Sequence, residues 1–278
     1  MADAHPAKTP AKPGPICIEE EVFLSPEDTK FFRSAKGSLL HLNRGTRPNI
    51  THPVMVLAKP ISEYGPRAMT KRKGVLRYLK GTSSIGRTHG EDANDGDKLT
   101  AYVDSDHAGD QNEGCSTTGF GLYLAGDPVE WRSIKRRMVA ISTVEAEDAA
   151  MSKVRVMVSR FRNLLESMKE KQEQAIVTFE DDSSAVSLSR SATISLCTKH
   201  IDVKFNRVRS LVADGVVDVT YVKLELQRAD VLNRILGVVK FLTNPLLLLG
   251  VCTPSLSEIR LMCKRFGRCL KLSQLVIC

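Results

Sequence analysis

No two cysteines of this 278-residue chain form a Cys-x-x-Cys pair. The seven present, at positions 17, 115, 197, 252, 263, 269 and 278, are scattered and odd in number. That excludes a closed disulfide framework and points to reduced thiols. His107 and His200 lack cysteine partners at zinc-finger spacing, so a structural zinc site is not expected. No apolar stretch opens the chain: residues 1–15 are mainly Ala, Pro and Lys, and no secretory signal is expected. A Gly-x-Ser-x-Gly turn is missing too, which leaves Ser-His-Asp hydrolysis unsupported. The one long apolar run, 235–252, is broken by Lys240, Thr243, Asn244 and Pro245. A membrane helix needs about 20 apolar residues, so this stretch reads as a buried tail rather than a span.

Apolar residues at 42% and charged residues at 26% are ordinary for a globular protein with a sizeable core. Forty Lys and Arg against 32 Asp and Glu give a net charge of +8, which favours a polyanionic partner such as nucleic acid. Residues 1–24 form a leader expected to be disordered, rich at its start in Pro, Ala and Lys. From 25 to 90 the pattern is helical. Val75, Leu76 and Leu79 make an apolar stripe, and Lys71, Arg72, Lys73, Arg77 and Lys80 crowd the same helix, either gripping phosphates or solvated. A polar, turn-rich linker at 90–97 leads into short strands predicted at 99–104, 119–124 and 129–134. A long helix follows over 144–168, its core stripe being Val154, Val158, Phe161, Leu165 and Met168. Then come a strand at 175–180, a helix at 183–189, a helix at 200–213, a strand at 216–222 and a last helix at 228–236. That succession predicts an α/β fold, a mixed sheet with helices on its faces.

Four acids fall at telling places. Asp104 ends the first strand, where apolar neighbours make its charge costly without a cation. Glu147 lies in the first turns of the long helix, Asp181 ends the fourth strand, and Asp230 opens the last helix. Two divalent ions about 4 Å apart can drive phosphodiester hydrolysis, one activating water and the other stabilising the leaving oxygen. Magnesium takes hard oxygen ligands and keeps several waters, so a few carboxylates on different elements suffice. Singly, each acid has an ordinary reading: Asp104 as a turn residue, Glu147 and Asp230 as helix N-terminal acids, Asp181 or Asp182 as a cap. Basic residues Lys135, Arg136 and Arg137, between the third strand and the long helix, are placed to meet phosphates near Glu147. Trp131 reads as core or as a wall rather than a base-stacking platform.

These motifs have a family likeness. The chain reads Asp104-Ser-Asp-His-Ala-Gly-Asp110, Ser116-Thr-Thr-Gly119, Val129-Glu-Trp-Arg-Ser133 and Ser142-Thr-Val-Glu-Ala-Glu147. Further on come Thr198-Lys-His-Ile-Asp202 and Ala229-Asp-Val-Leu232. Over about residues 98–236 this resembles the ribonuclease H region of Copia-type retrotransposon polyproteins. Upstream, Phe32-Arg-Ser-Ala-Lys-Gly-Ser-Leu-Leu-His-Leu42, Thr46-Arg-Pro-Asn-Ile50 and Val75-Leu-Arg-Tyr-Leu-Lys-Gly-Thr82 resemble the segment that connects polymerase to ribonuclease H. The polymerase's own Tyr-Val-Asp-Asp motif is absent.

The resemblance implies a ribonuclease H-like mixed sheet over 98–236, a small helical connection segment over 25–90, and a divergent apolar tail over 237–278. It implies two Mg2+ ions, with Mn2+ as an alternative, and cutting of the RNA strand of an RNA–DNA hybrid. Asp104 is then expected to bridge both ions and Asp230 to complete the water-activating site. Glu147 and Asp181 are expected to hold the second ion, with the glutamate near the RNA 2′-hydroxyl. Further implications are a partnership with the missing polymerase and a place in a cytoplasmic retrotransposon particle or the nucleus, with no membrane.

Several positions depart from the family pattern. His107 stands where Trp is usual, Asp148 replaces a Tyr, and Glu180-Asp-Asp-Ser183 replaces Cys-Asp-Asn-Gln, adding a carboxylate on each side of the third acid. Leu226 takes a polar position, and Asn233-Arg-Ile replaces Thr-Lys-Pro. The rival reading is therefore a degenerate remnant that binds nucleic acid without cutting it. An integrase-type nuclease is a weaker third, since it lacks the Thr-Lys-His-Ile-Asp segment.

Overall fold

The computed structural model describes residues 4–12, 24–58, 65–86, 98–106, 115–136, 143–190, 209–238 and 240–241. Three helices come first: α1 Pro26–Gly45, α2 Thr51–Ala58 and α3 Pro66–Gly81. Ser25 caps α1 by accepting from the Asp28 amide, with Pro26 at the first helical position and acids Glu27 and Asp28 in the first turn. Strands β1 Leu99–Asp106, β2 Thr117–Leu124 and β3 Asp127–Lys135 then form an antiparallel meander. Its tight hairpin uses Ala125 and Gly126, both at positive φ (52° and 80°), the geometry a two-residue turn between twisted strands requires. The rest runs α4 Thr143–Ser167, β4 Ile176–Glu180, α5 Ser183–Arg190, a helical turn at 209–213, β5 Val217–Tyr221 and α6 Asp230–Asn233.

The strands line up as β3-β2-β1-β4-β5, with β1, β4 and β5 parallel to one another. This mixed five-stranded sheet with helices on its faces is the ribonuclease H-like arrangement expected from the sequence. Alternation along β1 sorts its two faces. Leu99, Ala101 and Val103 turn to a core shared with Phe120, Leu122, Val154, Val158 and Ile176, beneath α4. Tyr102 turns the other way, stacking on Phe179 and meeting Tyr123 edge-on, while the Arg228 guanidinium lies over both tyrosines.

That second face is covered by the N-terminal helices. Phe32, Leu39, Ile50, Val54, Val75 and Tyr78 form one core with Tyr123, Trp131, Val231, Leu232 and Phe241. The Trp131 indole donates to the Asn43 carbonyl at 2.9 Å, tying α1 to β3. So the three N-terminal helices act as the cover of the sheet's open side, burying apolar surface that would otherwise face water. Residues 4–12, where the sequence predicts a disordered leader, lie along α3: Arg77 and Lys80 donate to the carbonyls of His5 and Ala4.

Some expectations shift. Met168 is 61% exposed rather than core, because α4 ends at Ser167 and Lys169 turns with positive φ. The last helix is four residues, not nine: Arg234 is extended, which lets Leu236 drop into the core. Of the helix predicted over 200–213, only 209–213 is described, and it is helical. The Thr198-Lys-His-Ile-Asp202 motif, His107, Arg137 and nearly all of the 237–278 tail lie outside the described residues. Among the described residues no helix is long and apolar enough to cross a membrane.

Candidate active site

Where the pairing of β1 and β4 ends, several acids gather. The strands' paired register runs from Thr100↔Val177 to Tyr102↔Phe179, and beyond it the two strands separate. Asp104 follows two residues later on β1, and Asp181 follows the end of β4. Carboxyl ends of parallel strands are where open α/β sheets bind ligands. From one face α4 brings Glu147 inward, with the side chain 6% exposed. From the other α6 brings Asp230, with no exposed surface.

The approach of α6 depends on a glycine. Asp104 pairs across the antiparallel ladder with Gly119. A Cβ there would lie 2.7 Å from the Ala229 carbonyl oxygen and 2.9 Å from the Asn233 nitrogen. Both are backbone atoms of the turn that carries Asp230, so only a bare Cα lets the two acids meet.

Asp104 and Asp230 are joined by Arg234, whose guanidinium lies 2.9 Å from Asp104 Oδ2 and also contacts Asp230 Oδ1. Lys240 ion-pairs with the other Asp230 oxygen. Burial works against the Arg234 charge, but Asp104 and Asp230 together hold it above the ordinary guanidinium range. The Ser105 amide donates to Asp104 Oδ1 at 2.8 Å.

Burial and mutual repulsion disfavour the ionised form of these acids. Asp104 is pushed up to about 8, chiefly by burial and then by the neighbouring Asp230 carboxyl, with Arg234 pulling the other way. Burial also drives Glu147 up to about 9, with repulsion from Asp104, Asp181 and Asp182 behind it. Glu180, an acid that pattern reading noted only as a departure, belongs to the same cluster. It is completely buried and held well above the carboxylate range by burial and by Glu147, Asp104 and Asp181. Its Oε1 accepts from the Asp181 and Asp182 amides, while Glu180 Oε2 and Glu147 Oε2 find no hydrogen-bond partner among the described residues.

The neighbouring acids Asp181 and Asp182 differ in their bonds. Asp182 Oδ1 accepts from the Ser184 and Ala185 amides and so caps α5. Asp181 instead accepts from the buried Gln227 amide at 3.2 Å. Lys135 is half-buried at the end of β3. Arg136 is turned inward: its guanidinium reaches Thr118, Ser105 and the carbonyls of Glu145 and Ala146, pinning the start of α4 to β1 and β2. The residue beside Glu147 is thus held to the residue beside Asp104.

Does a divalent ion suit this site? The donor set is all carboxylate, which matches a hard cation, and one buried oxygen each of Glu147 and Glu180 has no hydrogen-bond partner among the described residues. As the side chains stand, no three acids among the described residues converge closely enough to hold an ion. Chemistry and charge fit the ion, and coordination requires the side chains to close in.

No family model matches the chain. Over 249 residues it is 30% identical to the Retrovirus-related Pol polyprotein from transposon TNT 1-94 of Nicotiana tabacum, covering 87% of this chain and 18% of that one. It is likewise 30% identical over 244 residues to the corresponding polyprotein from transposon RE1 of Arabidopsis thaliana, covering 87% of this chain and 16% of that one. The chain thus spans less than a fifth of the length of these relatives. A shorter match, 39% over 123 residues, is to Secreted RxLR effector protein 161 of Plasmopara viticola, covering 44% of this chain and 84% of that one. Among solved structures, RNase H1 from Halobacterium salinarum NRC-1 aligns with 49% of this chain and 94% of its own, at 17% identity and a TM-score of 0.36.

Proposed function

We propose that this chain, which belongs to the Copia-type family of retrotransposon Pol polyproteins, hydrolyses the RNA strand of RNA–DNA hybrids in a divalent-metal-dependent reaction. The observation that carries the reading is the buried acid cluster at the carboxyl ends of β1 and β4, in which Glu147 and Glu180 each keep an oxygen without a hydrogen-bond partner among the described residues. Burying carboxylates without partners is unfavourable, and a cation relieves it. Asp104, Glu147, Asp181 and Asp230 would hold two magnesium or manganese ions. Such ions, when bound, supply an activated water and stabilise the leaving 3′ oxygen of the cut strand.

The chain's own residues set the stage for that reaction. Gly119 admits the Asp230 turn to the Asp104 strand, Arg136 registers the Glu147 helix on β1, and the Ser105 amide orients the Asp104 carboxylate. Lys135, with Arg137, would meet phosphates of the hybrid near Glu147, whereas Arg136 serves from within. The products are a 3′-hydroxyl and a 5′-phosphate, and the setting is a retrotransposon particle alongside a polymerase.

One observation favours the rival, non-catalytic reading: Arg234 and Lys240 already neutralise Asp104 and Asp230, and no three acids among the described residues converge to hold an ion. The two readings part on cleavage of a labelled hybrid by the purified chain with magnesium. We expect magnesium-dependent cutting that falls by about 10³-fold in Asp104→Asn, equivalent to about 4 kcal/mol of barrier. Salt-sensitive hybrid binding with no cutting by the folded wild type would establish the remnant instead.

A further inference from the structure

One side chain touches three of the elements that bring the acids together. Gln227 is completely buried, just after the helical turn Leu224–Leu226. Its Nε2 donates to the Val103 carbonyl at 2.8 Å and to Asp181 Oδ1 at 3.2 Å. Its Oε1 accepts from the Ala229 amide at 3.2 Å. Val103 immediately precedes Asp104, and Ala229 immediately precedes Asp230.

The reason for this convergence lies in the sheet. Pairing between β1 and β4 ends at Tyr102↔Phe179, so the Val103 carbonyl, one residue on, has no β4 residue opposite it. A buried carbonyl needs a donor, and the Gln227 amide supplies it. Because the same group also accepts from Ala229, both ends of the amide are fixed, and its remaining N–H is aimed at Asp181. A methionine or leucine would fill the space and leave three polar groups unanswered. A glutamate would set a further carboxylate against the Val103 oxygen and Asp181.

We propose that Gln227 is a positioning residue: anchored on Val103 and Ala229, its amide holds the Asp181 carboxylate toward the Asp104 strand for ion binding. This rests on the reading of the acids as a divalent-ion site. Partners that orient metal ligands typically matter by 10- to 100-fold in affinity.

The test is calorimetric titration of Mn2+ into the whole chain as wild type, Gln227→Met, Asp181→Asn and the double variant, with circular dichroism to verify the fold. We expect Gln227→Met to weaken Mn2+ binding by about 10- to 100-fold. In the Asp181→Asn background the same change should weaken it by less than about threefold, since its target is gone. Should Gln227→Met fail to fold, Gln227→Asn keeps the amide but shortens its reach, and the same weakening is expected. Unchanged affinity in the folded variant, or an equal loss in both backgrounds, would reduce Gln227 to a packing residue while leaving the metal site intact. A folded wild type that binds no Mn2+ would overturn the metal site and the role of Gln227 together.

Discussion

Between the N-terminal helices, Arg47 donates to the Thr82 carbonyl at 3.0 Å, to the Thr82 hydroxyl at 2.6 Å and to Asn49, and Asn49 donates in turn to the Tyr78 hydroxyl at 2.6 Å. At the carboxyl ends of β1 and β4, Glu147 and Glu180 each keep a buried oxygen without a hydrogen bond among the described residues. Both regions bury polar side chains, and both draw them from sequence motifs. In the first, one cation meets neutral partners and the network closes on itself, fastening the loop after α1 to the end of α3. In the second, several like charges share a small volume, and no rearrangement among themselves can satisfy them. A closed network is a structural device; an open cluster of acids asks for something from outside.

Breaking the closed network should give the largest loss of stability. Arg47→Ala leaves the Thr82 carbonyl and Asn49 buried without their donor, and we expect about 3 kcal/mol of destabilisation. In a chain of this size that lowers the thermal midpoint by about 8 °C. The drop should be the same with and without magnesium; a metal-dependent drop would mean the two regions are not separate devices.

Disturbing the open cluster should instead be read in activity. Gly119→Ala forces the Asp230 turn away from Asp104, because the new methyl meets backbone atoms that cannot swing aside. We expect cleavage to fall by about 100-fold, or about 2.7 kcal/mol, for a displacement near 1 Å. Cleavage at the wild-type rate would show that the close approach of α6 to β1 is not needed.

The acid cluster also predicts a pH profile that the closed network does not. Carboxylates of the unfolded chain titrate near 4, whereas folded Asp104 and Glu147 titrate at about 8 and about 9. Between those limits the folded state binds more protons, so stability of the metal-free protein falls as pH rises from about 5 to about 9. Magnesium should flatten that decline by binding only the folded, ionised cluster. Thermal unfolding across this range, with and without magnesium, decides it; a profile flat in both conditions counts against uncompensated acids. The smallest effect is expected from Glu180→Gln. Removing one buried carboxylate from the cluster should stabilise the metal-free protein by about 1 kcal/mol, read as a midpoint higher by about 3 °C. A lower midpoint would mean that Glu180 is compensated after all.

Much of this molecule is readable from local pattern. All five strands and the long helix fall within a few residues of where alternation and helical spacing place them. The acids stand on the elements predicted for them, because a strand end and a helix start are marked by the residues on either side. Pattern reading treated Glu180 as a departure and gave Gln227 no role, since a lone glutamate and a lone glutamine carry no periodic signal. The substitution of Glu for the family's Cys beside the third acid was the one hint of a fifth carboxylate. Arg136 looked like a phosphate contact because a basic run after a strand says nothing of which way each side chain turns.

What the sequence by itself determined, then, is the order of elements, the alternation that gives the sheet two apolar faces, and four acids at element ends. These depend on neighbours within a few residues, where backbone geometry dictates the period. Only the tertiary structure decided that the N-terminal helices share a core with the sheet and that Asp182 caps a helix while Asp181 accepts from Gln227. It alone brought Gln227 to a carbonyl 124 residues away. Such contacts join segments whose local preferences are silent about one another, so they exist only once burial of both apolar faces has brought the segments together.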